Sequence, residues 1–230
     1  MKPAEINALA RATCAWLDYK SLTGFGSLLS EAMLKVPISE YLAAQTTWVL
    51  KTEVGYRTLP NSDGLKAFWC DFSGTRKYGA GQVGFLLESK FLKRPIDQVG
   101  KYVAADVVRL SLPRGANLVR LFLLAGKRDY FQSKSILAFK RILDLKQGKS
   151  CDLKFDEILE NADFLKSYSV YKDPIELSKG TYVRPRSAYV TCRAIEEKPY
   201  MDDGYRVVIW SVAQAQVQMQ VPTSAATSTT

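Results

Sequence analysis

The sequence predicts an α/β fold, a central mixed sheet flanked by helices. Three observations carry this. Between Thr46 and Phe91, three segments rich in β-branched, aromatic or apolar residues follow one another with short links. A stretch of helical periodicity, from Pro95 to about Leu110, comes next. It leads into a near-continuous apolar run, Asn117 to Ala125, of the kind that fills a strand covered on both faces.

The elements follow in order. Ile6, Leu9, Ala10, Ala12 and Leu17 give residues 5–20 a helical stripe. Leu22 to Gly26 reads as a turn. Ser27 is expected to cap a second helix running to about Lys35, with Leu28, Leu29, Ala32 and Met33 on its apolar face. Pro37 fits the first position of a further short helix, Ile38 to Ala44. Thr46 to Thr58 alternates as a strand does. Leu59 to Gly64 carries strong turn chemistry, Leu65 to Phe72 is a second strand, and Ser73 to Gly81, with its glycines, is expected to be a connection. Gln82 to Phe91 is a third strand, so the three form an antiparallel meander. Pro95 opens the next helix, in which Ile96, Val99, Val103 and Val107 recur at helical spacing, and Pro113-Arg114-Gly115 ends it. A helix between two strands implies that the run 117–125 pairs in parallel. Further on, 135–145 and 155–165 look helical. Residues 181–194 and 205–213 look like strands, separated by a turn at 201–204. Residues 214–230 are a Gln, Ser, Thr and Ala tail expected to be disordered.

Composition narrows the chemistry. The 230 residues are 47% apolar, enough for a full core in one domain, expected to span 1–213. No apolar run approaches the ~18 residues of a membrane span, and the first residues lack the form of a signal peptide. A cytoplasmic protein with no membrane partner is expected. Histidine is absent, and Cys14, Cys70, Cys151 and Cys192 show no metal-ligand spacing. That removes zinc-finger, HExxH, Ser-His-Asp and Cys-His chemistry. The cysteines are expected to be reduced core residues. Catalysis would fall to carboxylates, lysine, tyrosine or serine. A formal net charge of +9 suits an anionic partner such as nucleic acid, although charge alone also serves solubility.

One group of residues has the makings of a site. Glu88 and Lys90, two apart on a strand, share a face, and Asp71 on the preceding strand can lie beside them. Two carboxylates with the carbonyl of Ser89 suit a hard divalent ion such as Mg²⁺, which would polarise a phosphate and activate a water. An acid-x-Lys pattern occurs five times in the chain, but only Glu88-Ser89-Lys90 ends an apolar strand, where ionised groups are costly. The plain alternative is a strand-end salt bridge. On the next helix Gln98 and Tyr102 are four apart and share a face, with Arg109 two turns on. Gln98 suits a water or a phosphate, and Tyr102 a stacking or hydrogen-bonding role. Arg76 and Lys77 at a hairpin, with Lys93 and Arg94 after the third strand, are candidate phosphate contacts.

Taken together, these residues resemble the PD-(D/E)XK, or restriction-endonuclease-like, superfamily. Its core is an αβββαβ unit with an Asp on the second strand and a Glu-x-Lys on the third. The resemblance covers about 22–125, leaving a C-terminal α/β elaboration, and the Gln98-x-x-x-Tyr102 spacing is similar to a motif of RecB-type nucleases. Cys70 stands before Asp71 where proline is commoner. The resemblance implies a Mg²⁺-dependent (or Mn²⁺-dependent) nuclease hydrolysing DNA, with RNA as a second substrate class. Asp71 and Glu88 would be the metal ligands and Lys90 the catalytic lysine. Glu31 on the first core helix, or Glu53 on the first strand, would be a further acid. A homodimer is one expectation where two strands are cut. The alternative is a catalytically inactive protein of the same fold, binding nucleic acid or serving as an assembly subunit.

Overall fold

The computed structural model describes residues 1–56, 68–111, 115, 117–132, 150–154, 175–178, 181–183, 189–197 and 204–214. It has an α/β architecture. Helix α1 spans Pro3–Lys20, α2 Glu31–Ala44 and α3 Ile96–Ser111. The strands are β1 Val49–Tyr56, β2 Phe68–Tyr78, β3 Gly81–Leu92, β4 Leu118–Lys127, β5 Ser150–Lys154, β6 Ile175–Ser178, β7 Thr181–Val183, β8 Tyr189–Glu197 and β9 Tyr205–Val212. Seven of them form one mixed sheet in the order β1-β2-β3-β4-β9-β8-β5, and β6 pairs with β7 separately. β3 and β4 are parallel, and the remaining pairs of the large sheet are antiparallel. A parallel pair needs a crossover, which α3 supplies.

The sheet is buried on both faces. Phe72, Phe85, Leu87, Leu121, Leu123, Ala125, Val207 and Ile209 point to one side and meet α1 and α2 through Leu9, Leu17, Leu34, Ile38 and Leu42. Trp48 sits edge-on to Phe85 there, with ring centroids 5.0 Å apart. Helix α3 lies against β3, β4 and β9 and buries Ile96, Val103, Val107 and Leu110. Phe122 and Trp210, paired across β4 and β9, stack at 5.6 Å. Asp18, at the end of α1, accepts the Tyr205 N–H at 3.0 Å and ties α1 to the start of β9. Among the described residues, no helix is long and apolar enough to cross a membrane.

Several expectations change. Ser27 does not cap the second helix. Residues 21–25 and 26–28 are single tight turns, with Gly24 at φ +87°. The cap is Ser30, whose hydroxyl accepts the Met33 N–H. Pro37 does not open a new helix. It lies inside α2, where its ring is buried against the core in place of a hydrogen-bonded N–H. The second strand does not stop at Phe72, and residues 73–78 are not a connection. β2 continues to Tyr78 and turns through Gly79 and Ala80 into β3, with Gly79 at φ +59° in the first loop position, which a two-residue hairpin of this kind requires. Gly74 is a strand residue that makes room for a neighbour: a Cβ there would meet the Phe85 ring at 2.2 Å. The expected helices 135–145 and 155–165, the loop 59–64 and the tail 215–230 lie outside the described residues. The expected strand 181–194 corresponds to β7 and β8, with 184–188 between them also outside. Cys14 and Cys70 are buried free thiols, and Cys151 faces Cys192 in the β5–β8 register.

Candidate active site where β2 and β3 part

The β2–β3 ladder ends at the pair Phe72↔Leu87. One step further along each strand stand Asp71 and Glu88. Where the strands part, the Ser89 N–H has no ladder partner on β2, and the Asp71 side chain supplies one. Asp71 Oδ2 accepts the Ser89 N–H at 2.8 Å and the Ser89 hydroxyl at 2.6 Å. Both residues are buried, so these hydrogen bonds replace water that neither can reach. The carboxylate of the second strand is thereby fixed to the residue between Glu88 and Lys90.

Helix α2 runs beside this gap and contributes two residues four apart on one face, Glu31 and Lys35. The Lys35 ammonium donates to Asp71 Oδ1 at 2.7 Å and also pairs with Glu53. Burial alone would lower the Lys35 pKa. Hydrogen bonds to Asp71 and Glu53, with their charges, outweigh that and hold it above the ordinary lysine range. Glu53 adopts φ +49°, a left-handed backbone uncommon for glutamate, between the register pairs Thr52↔Phe72 and Val54↔Cys70.

Lys90 forms the second half of the site. Its ammonium lies 3.1 Å from Asp106 Oδ2 on α3 and 3.4 Å from Glu31 Oε2 on α2. Asp106 is only 3% exposed. Lys90, Glu31 and Asp106 line a cleft of about 680 Å³ whose wall also includes Tyr102, Lys93 and Arg94. The carboxylates of Glu88, Asp71 and Glu53 act on the buried Cys70 as well. Burial first, then the charges of Glu88 and Asp71, push its thiol up to about 12.

The structure therefore gathers Asp71, Ser89, Lys90, Glu31 and Glu53 of the expected residues, with Glu88 close enough to act on Cys70. Tyr102 faces the cleft. Gln98 is exposed on α3, outside the cleft wall, and the Arg109 side chain lies outside the described residues. Arg76 is engaged elsewhere, paired with Glu5 at 2.7 Å and set over Trp48 at 4.2 Å, where it fastens α1 to β2. Lys77 is exposed beside it, about 20 Å along the strand from Asp71. Lys35 and Asp106 went unread in the sequence. Lys35 stands at i+4 from Glu31, and Asp106 at i+4 from Tyr102, which is the signal that points to both.

The donor chemistry suits a hard divalent cation. Among the described residues no three ligand-type side chains already stand together at metal-holding distance. Instead, Asp71 and Glu53 converge on the Lys35 ammonium. The donors match Mg²⁺ in type only, and the cation beside Asp71 in this structure is the Lys35 ammonium. Comparison of the chain with protein-family models, with curated proteins and with solved structures finds no match.

Proposed function

We propose that the chain is a Mg²⁺-dependent nuclease of restriction-endonuclease-like build that hydrolyses phosphodiester bonds of DNA. The observation that carries this is the hydrogen-bonded link from Asp71 to Ser89, which joins the acid of the second strand to the centre of Glu88-Ser89-Lys90. The order α2-β1-β2-β3-α3-β4, with β3 and β4 parallel, supports the same reading.

On this reading Asp71, Glu88 and the Ser89 carbonyl would hold the metal, whose chemistry when bound would be polarisation of the phosphate and activation of a water. Ser89 fixes the Asp71 carboxylate, so little reorganisation is left for the moment of reaction. Lys35, paired with both Asp71 and Glu53, would have to give up its place beside Asp71 for a metal there. Lys90 is steered by Asp106 and Glu31 and presents its ammonium to the cleft, where it holds the attacking water or the developing phosphate charge. Tyr102, in the wall of the same cleft, stacks on or donates to the substrate.

The test is DNA cleavage with Mg²⁺ or Mn²⁺ by wild type, Asp71→Ala and Lys90→Ala. Cleavage by the wild type alone is expected. One observation favours a second reading, a metal-free protein of the same fold that binds nucleic acid or serves in an assembly. Both Asp71 oxygens already have partners, Lys35 and Ser89. Calorimetric titration with Mn²⁺ separates the two, since saturable binding lost in Asp71→Ala belongs only to the nuclease.

A further inference from the structure

The carboxyl ends of β3 and β4 open into a second cleft, of about 470 Å³, that shares Phe91, Leu92 and Lys93 with the Lys90 cleft. The two therefore adjoin along the end of β3. Open α/β sheets bind ligands at this end of parallel strands. The second cleft is lined by Lys93 and Lys127 and by the hydroxyl-bearing Ser21, Ser27 and Tyr130. Among the described residues no carboxylate pairs with Lys93 or Lys127. A polar cavity with two such cations and neutral donors selects an anion.

The turn that walls this cleft has a second property. Its outer side, with the end of α1, exposes Tyr19 (60%) and Phe25 (47%), and Leu22 and Leu28 beside them. Gly24, at φ +87°, permits the chain reversal that sets Phe25 outward. Lys20 then sits 5.4–5.7 Å from the centroids of Trp16, Tyr19 and Phe25. One cation thus holds three rings in place on the surface. Exposed, fixed aromatic faces beside a basic groove are what unpaired bases on a phosphate backbone require. A duplex, whose bases are stacked on one another, has no use for them.

We propose that a single-stranded polynucleotide leaves the Lys90 cleft over Lys93 and Lys127 and stacks its bases on the Tyr19–Leu28 turn. The assignment rests on the nuclease reading for the direction of the strand and goes beyond it in naming the substrate as single-stranded at this end. The test is fluorescence anisotropy of the full chain with labelled oligothymidylate and with a blunt duplex of equal length, in EDTA so that nothing is cut. Tyr19, Phe25, Lys93 and Lys127 are all exposed, and circular dichroism checks the fold of each variant. Wild type is expected to prefer the single strand. Tyr19→Ser with Phe25→Ser should weaken single-strand binding roughly tenfold or more. Lys127→Gln should lower the salt slope of log K by roughly 0.7. Equal affinity for strand and duplex, or unchanged binding by the ring variant, overturns the proposal. So does a ring variant that loses self-association while keeping the oligonucleotide, which would make the patch a protein contact. A chain that binds the strand but never cuts DNA defeats the nuclease reading alone. A chain that cuts while its ring variant binds unchanged defeats only this track.

Discussion

Lys35 is the residue on which the site turns. It places an ammonium against Asp71 while remaining partly open to solvent. Replacing it by methionine leaves the buried Asp71 charge with Ser89 alone. Lys35→Met should therefore cost about 1–2 kcal/mol in EDTA, less than loss of a fully buried pair, because Lys35 is partly open to solvent. Millimolar Mn²⁺ should restore the melting temperature by binding only the folded state. A loss that Mn²⁺ leaves untouched would contradict the metal reading. The sign with pH follows from the raised Lys35 pKa. Its contribution is fully present below the ordinary lysine value and disappears only as pH rises through the higher folded one. The difference between wild type and Lys35→Met should thus be flat between about pH 7 and 9. Cys70 gives a separate readout. With its thiol pushed up to about 12 by burial and by Glu88 and Asp71, it carries no appreciable thiolate at pH 8. Native protein should leave Cys70 unalkylated by iodoacetamide at that pH, whereas denatured protein should react. Peptide mass mapping reads both.

At the scale of elements, periodicity and apolar runs made most of the sheet legible. β3, α3 and the parallel β4 follow directly from Gln82–Phe91, the Ile96-Val99-Val103-Val107 stripe and the run 117–125. Glycine and proline misled. Gly74 reads as a loop residue, yet it lies in β2 because Phe85 needs the space a side chain would fill. Pro37 reads as a helix start, yet tertiary burial keeps it inside α2. Gly74→Ala should cost about 1–3 kcal/mol in urea unfolding by overpacking Phe85, and an unchanged midpoint would refute that packing. The site was half legible. Glu88-Ser89-Lys90 and Asp71 announce themselves as charges on apolar strands. Lys35 and Asp106 do not, because charged residues on helix faces are ordinary, and only the approach of α2 and α3 to the sheet gives them partners. The left-handed backbone of Glu53 leaves no trace in its residue type.

For the whole molecule, the consistent feature is where charge and openings collect. Two adjoining clefts lie at the carboxyl ends of β3 and β4 and carry Lys90, Lys93, Arg94 and Lys127, within a chain of net charge +9. The acids that line the first cleft beside Lys90 come from the two helices that flank the sheet, Glu31 of α2 and Asp106 of α3. Lys90 also answers the nearly buried Asp106 carboxylate at 3.1 Å, so Lys90→Ala is expected to lower stability as well, and its effect on cleavage is read on protein shown to be folded. The most direct test is single-turnover cleavage of DNA in Mg²⁺ by wild type and Lys90→Ala, with folding checked by thermal melting. Metal-dependent cleavage by the wild type and a loss of roughly 10²-fold or more in Lys90→Ala are the expected outcome. Cleavage at equal rates by both proteins, or none by the wild type, would contradict it.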